Sequence, residues 1–295
     1  MQSITQEFCE NIIMIIHHTE YKNIDFKKYK RVFIFGCSFT YYVWPTWANI
    51  LTYETNPETE IYNFGRAGGG NLFISERVIA ANQKYRFTSD DLVLLMWSTH
   101  CREDRYISTG WELPGNIWTQ DFYDSSFVKK YACVKGYIVR DLALMTMIRN
   151  TLQTLPCGAV VLKSVEPDYD RHFYDGDSSF DEVIDLYRDV VDDMAAPLYE
   201  SVKTGTGGWI NGHHYHWASI KESSPTNLFP DYHPNPEMYL KYLTGIGFNV
   251  SIGTVEKTYR YNQELMQIKE RMAIEKWAWD LFHENPNYHY TIHLI

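Results

Sequence analysis

Ser38 stands just beyond a short apolar run, in Gly36-Cys37-Ser38-Phe39-Thr40. Gly36 lets the backbone turn sharply and leave the hydroxyl accessible. Free backbone N–H groups where the next segment begins would stabilise negative charge there. The bland alternative is a serine that only caps a helix. A serine hydroxyl becomes a nucleophile when a base takes its proton. Among 11 histidines, His233 is the best furnished for that task. The stretch Asp231-Tyr232-His233-Pro234-Asn235-Pro236 sets a carboxylate two residues before an imidazole, and its prolines disfavour helix. Asp231 could then accept the Nδ1 hydrogen and leave Nε2 for Ser38; the alternative is a polar surface turn. Acyl transfer also requires donors to an oxyanion. The backbone N–H groups of Ser38 and of Gly68, in Gly65-Arg66-Ala67-Gly68-Gly69-Gly70-Asn71, suit that role. Asn71 offers a side-chain amide to a substrate, or caps the helix after it.

Other chemistries fit less well. The glycine-rich stretch lacks the Lys-Ser/Thr ending of a phosphate-binding loop and does not match the dinucleotide fingerprint. Cys37 would be the more reactive nucleophile as a thiolate. Successive residues leaving a strand point oppositely, however, so Cys37 and Ser38 should not both face one site. His213-His214-Tyr215-His216 has no carboxylate or cysteine at ligand spacing. His214 is therefore expected to line a substrate cleft, and no metal or cofactor is expected. His17, His18 and His100 are read as structural.

The chain has 295 residues and a net charge of −10, with no dense Lys/Arg patch for phosphate contacts, which argues against nucleic-acid binding. Five dispersed cysteines suggest reduced thiols. The apolar run at 12–16 is too short for a signal core or a membrane span. A soluble cytoplasmic protein without membrane partners is expected. Aromatic residues make up 16% of the chain; they read as a packed core with tyrosine hydroxyls reaching water, the alternative being a surface that stacks on sugar rings or other planar ligands.

Four apolar runs, at 32–35, 60–63, 92–97 and 159–162, read as strands; the first, third and fourth are continuous enough to be buried on both faces. Between and after them, helical spacing covers 44–53, 71–84, 137–154 and 180–202. This alternation predicts an α/β sandwich around a parallel sheet. Ligands of such sheets bind beyond the strands' carboxyl ends. The segments there are Gly36–Thr40, Gly65–Asn71 and Ser98-Thr99-His100-Cys101-Arg102. Residues 103–136 read as an aromatic-rich insertion and 203–230 as loop. A short helix follows Pro236. Residues 255–282 then have helical spacing with an apolar face that packs on the domain or contacts a second copy of the chain. The expected layout is a main domain over 1–250, with its core at about 30–245, and a helical extension over 251–295.

Three stretches together resemble the SGNH (GDSL-type) esterases and lipases. Gly36-Cys37-Ser38-Phe39 is similar to their Gly-Asp-Ser block, with Cys37 in place of the usual Asp. Asn63-Phe64-Gly65-Arg66-Ala67-Gly68 resembles the second block, whose last glycine donates to the oxyanion. Asp231-Tyr232-His233-Pro234 resembles the final Asp-x-x-His-Pro block with one residue fewer. The match spans about 200 residues in the right order. It implies a flavodoxin-like three-layer α/β/α sandwich and metal-free hydrolysis of a small acyl ester, such as an O-acetyl group on a carbohydrate. Ser38 would carry the acyl group, with His233 and Asp231 completing the triad. The family's third block, Gly-x-Asn-Asp, is missing. Trp97-Ser98-Thr99-His100 stands there, which puts Thr99 where the family has its oxyanion asparagine, with Ser98 and Arg102 beside the substrate. The rival reading is a non-catalytic glycan-binding or structural protein on the same fold.

Overall fold

The structure, a computed structural model, describes residues 15–118, 122–167, 179–199, 209–210, 213–214, 233–268 and 271–290. Its centre is a five-stranded, wholly parallel sheet. The strands and helices follow in chain order. β1 (Arg31–Phe35), α1 (Trp47–Thr52), β2 (Glu60–Asn63), α2 (Asn71–Tyr85) and β3 (Asp91–Trp97) come first. A hairpin of β4 (Arg105–Ile107) and β5 (Gly110–Glu112) leads to α3 (Ser125–Tyr131), α4 (Val134–Gln153) and β6 (Gly158–Lys163). Then come α5 (Ser179–Leu186), α6 (Arg188–Asp192) and the two-residue strands β7 (Trp209–Ile210) and β8 (His213–His214). The chain continues through α7 (Pro236–Gly245), α8 (Ile252–Gln267), α9 (Arg271–His283) and β9 (Tyr288–Tyr290).

All seven residues of β3 are buried, as the uninterrupted apolar run required. Alternate side chains feed two separate cores. Val32 and Ile34 join Leu92, Leu94 and Met96 on one face, packed with residues of α1 and α7. Phe33 and Phe35 join Val93, Leu95 and Trp97 on the other, packed with residues of α2, α4 and α6. Helix on both faces of a parallel sheet is the three-layer α/β/α sandwich expected. The ladder is pinned at its amino end by Arg31, which donates through Nε and Nη2 to the buried Asp91 carboxylate, 2.7 Å each.

The strand order is β6-β3-β1-β2-β9. Its run β2-β1-β3-β6 follows the flavodoxin-like order, whose switch point lies between the first and third strands. The chain leaves β1 toward one edge and, after β2, crosses to the other. The loops after β1 and β3 therefore lead to opposite faces of the sheet, the place where ligands of such sheets bind. Among the described residues, segments near the two termini lie at the sheet edges. Ile15 forms a parallel bridge to Ala159 of β6, and β9 pairs with β2. The tail thus contributes a strand as well as helices to the main sheet.

Several boundaries differ from the sequence expectation. Helix α1 begins at Trp47 instead of 44, because Pro45 precedes Thr46, the N-cap, whose N–H donates to the Asn49 side chain. The helix expected over 180–202 is broken at Tyr187 into two short pieces. The helix expected over 255–282 ends at Gln267 and resumes at Arg271. Among the described residues, no helix is long and apolar enough to cross a membrane.

Candidate active site

Ser38 sits in the turn that leaves β1. Thr40 and Tyr41 both donate their backbone N–H to the Cys37 carbonyl, at 2.9 and 3.1 Å, which turns the chain back around Ser38 and Phe39. Ser38 itself is 7% exposed. Gly36 is required here: a Cβ would lie 1.9 Å from Thr40 Oγ1 and 3.2 Å from the Met96 carbonyl. Cys37 is fully buried in the α1/α7 core, as expected of a residue facing away from a site.

The glycine loop after β2 is tied to this turn. The Arg66 N–H donates to the Gly36 carbonyl at 3.1 Å, and Asn63 Nδ2 reaches the Thr40 carbonyl at 3.3 Å. Gly68 has φ +79°, which suits the third position of the turn closed by Gly69 N–H to Arg66 carbonyl. A side chain there is doubly excluded, since its Cβ would meet the Leu113 carbonyl at 2.2 Å. The insertion thus packs directly on the predicted oxyanion glycine. Asp104, buried, then caps α2 by accepting from the Gly70 N–H at 2.8 Å and the Phe73 N–H at 2.9 Å. Burial raises its pKa; those two N–H groups, with the charges of Arg102 and Arg140, oppose the rise.

The loop after β3 is the most heavily braced. Asn71, buried, holds Ser98 by both backbone groups: it accepts from Ser98 N–H at 2.8 Å and donates to the Ser98 carbonyl at 3.3 Å. Its Nδ2 also donates to Asp141 at 2.8 Å. The Asn71 amide is therefore occupied in fixing this loop, in place of the substrate contact expected for it. Asp141, from α4, accepts from His100 Nδ1 at 2.8 Å, both groups being buried, and pairs with Arg140 at 2.7 Å. Burial pushes the Asp141 carboxyl upward, but His100, Arg140 and Asn71 outweigh it and hold the pKa below the ordinary range. Cys101 next door carries φ +61°, a strained conformation for a side-chain-bearing residue. Arg102 Nε donates to Thr99 Oγ1 at 2.9 Å, and its Nη1 to the Gly69 carbonyl at 3.1 Å.

His233 is brought to the same rim. Its ring stacks on Tyr42, centroids 3.7 Å apart, and lies 5.2 Å from Phe39, the residue following Ser38. Trp44 Nε1 donates to the Pro234 carbonyl at 2.8 Å, and Asn235 caps α7 through Met238 N–H at 2.9 Å. The prolines and the cap thus fix the backbone on the C-terminal side of the imidazole. Asp231 and the His214 side chain lie outside the described residues. Among the described residues, no group of three or more His, Cys, Asp or Glu is placed to hold a metal.

Sequence reasoning missed Tyr42, Trp44, Asp104 and Asp141 as supports of the site. None lies within a motif, and Asp141 meets His100 across 41 positions.

No family model matches the chain, and neither does any curated protein. Solved structures similar to it include the following two. One is a member of the lipolytic protein G-D-S-L family from Veillonella parvula, 16% identical, with a TM-score of 0.32 over 72% of this chain and 96% of that one. The other is an acetylxylan esterase from Geobacillus stearothermophilus, 15% identical, with a TM-score of 0.39 over 77% of this chain and 98% of that one. At such scores, the fold assignment rests on the parallel sheet and its two helical layers.

Proposed function

We propose that this protein is a serine esterase that removes a small acyl group, an O-acetyl ester of a carbohydrate. Ser38 Oγ attacks the acyl carbonyl as His233 takes its proton. The tetrahedral intermediate collapses, and His233 returns the proton to the departing alkoxide. Water then hydrolyses the acyl-enzyme by the same sequence in reverse roles. Asp231 orients the imidazole. The N–H groups of Ser38 and Gly68, with the Thr99 hydroxyl, hold the oxyanion. The observation that carries this reading is the packing of His233 against Phe39 and Tyr42, on the turn that bears Ser38.

The experiment is covalent labelling with a fluorophosphonate, followed by mass spectrometry of the modified peptide, alongside turnover of a chromogenic acetate ester. Label on Ser38, with turnover abolished in Ser38→Ala, is the expected result. Label elsewhere, or turnover surviving that substitution, overturns the assignment.

A second reading is a glycan-binding module without catalysis. It is favoured by the exposed aromatic rings of the insertion, Tyr106, Trp118 and Phe122. Glycan retention without any ester turnover would select it.

A further inference from the structure

The third oxyanion donor in the esterase reading is a threonine hydroxyl, whose hydrogen rotates where the hydrogens of an amide are fixed in its plane. Arg102 changes that chemistry. Its guanidinium plane bridges two loops, from Nε to Thr99 Oγ1 at 2.9 Å and from Nη1 to the Gly69 carbonyl at 3.1 Å. The Arg102 carbonyl is in turn held by Arg140 Nη2 at 3.0 Å. The cation is thus fixed at both ends, half-buried, between the glycine loop and the β3 loop.

We propose that Arg102 acts as a positioning residue for the oxyanion hole, setting and polarising the Thr99 hydroxyl as its third donor. The proposal rests on the esterase reading. An Oγ that accepts from Nε–H has one lone pair committed, so its own hydrogen is confined to the directions that remain. Among the described residues, no acceptor takes that hydrogen. A hydroxyl that accepts from a cation also becomes a stronger donor, since hydrogen bonds in a chain polarise one another. The second contact, to Gly69, keeps the donor in register with the N–H of Gly68. No proton is transferred along this path; the hydroxyl keeps its hydrogen and shares it with the developing charge.

A double-substitution cycle on the whole chain tests the relay. Thr99→Val should lower kcat by about 10²–10³-fold, the usual cost of one oxyanion donor, with KM little changed, and Thr99→Ser should restore most of it. Arg102→Ala should lower kcat by about tenfold or more through the same hydroxyl, so the pair Thr99→Val/Arg102→Ala should be no slower than Thr99→Val alone. Arg102→Lys keeps charge and stem but cannot bond both partners from one rigid plane. It serves as the second variant if truncation unfolds the loop, and its loss should likewise vanish in the Thr99→Val background. Multiplicative losses in either pair, or an effect of Arg102 on KM alone, overturn the proposal while leaving Ser38 labelling intact. If the unsubstituted chain neither labels at Ser38 nor turns over ester, the esterase reading fails and takes this one with it.

Discussion

The imidazole of His233 and the phenol ring of Tyr42 lie nearly parallel, 17° between planes and 3.7 Å between centroids. The two residues are remote in sequence, and Tyr42 belongs to the segment that leaves β1 through Ser38. A stacked ring fixes the tilt of an imidazole. Tyr42→Ala should therefore lower kcat/KM by about 10–100-fold, since a misplacement near 1 Å costs about that much. Tyr42→Phe, which keeps the ring, should stay within a few-fold of the parent. Equal losses in both variants would contradict the stacking role; steady-state kinetics on an acetate ester decides.

Gly68 is constrained twice, by its φ of +79° and by the Leu113 carbonyl 2.2 Å from any added Cβ. Gly68→Ala must either displace the insertion or shift the glycine loop. The left-handed conformation alone costs a side-chain-bearing residue of order 1–3 kcal/mol. A lower urea midpoint together with a loss of the proposed esterase activity is expected. An unchanged midpoint would show that the loop relaxes freely.

Asp141 gives a pH signature with a definite sign. Its folded pKa is depressed below the ordinary value of 3.8, by His100, Arg140 and Asn71 acting against burial. Its contribution to stability is therefore present above about pH 4 and lost as pH falls through the depressed value. Asp104, whose folded pKa is raised by burial, acts oppositely: its favourable contribution is present at low pH and lost as pH rises through its folded value. Asp141→Asn removes the acceptor shared by His100, Arg140 and Asn71; it should cost about 1–3 kcal/mol at neutral pH and should flatten the acid limb of the stability profile. Asp104→Asn should steepen it. Denaturant unfolding between pH 3 and pH 7 separates the two; identical profiles for both variants would refute the assignment.

Tyr288 fastens the added edge strand. Its hydroxyl accepts from Asn63 Nδ2 at 2.9 Å and from Asn49 Nδ2 at 3.1 Å, joining β9, β2 and α1. Tyr288→Phe removes the acceptor shared by two amides and should cost about 1–3 kcal/mol. Faster amide exchange confined to β2 and β9 should accompany it; exchange spread evenly over the sheet would point to a different role for the tail.

The positions of β1, β2, β3 and β6 were legible because each run is apolar enough to be buried and short enough to be a strand. The turn at Ser38 and the glycine loop were legible for a similar reason: Gly36 and Gly68 stand where a Cβ cannot. What single residues do to their own backbone is written locally, so sequence alone determined the strands, the two glycine turns and the candidate nucleophile and base. The partnerships were not written that way. The Asn71 amide fits either a substrate contact or a helix cap by sequence, and in the fold it holds Ser98 and Asp141; His100 has no neighbour in sequence that foretells Asp141. The breaks near Tyr187 and Ile268, and the entry of Tyr288–Tyr290 into the sheet, likewise depended on contacts across the chain. Hydrogen-bond partners and stacked rings are chosen by which surfaces the completed sheet brings within 3–4 Å, and only the tertiary structure decides that.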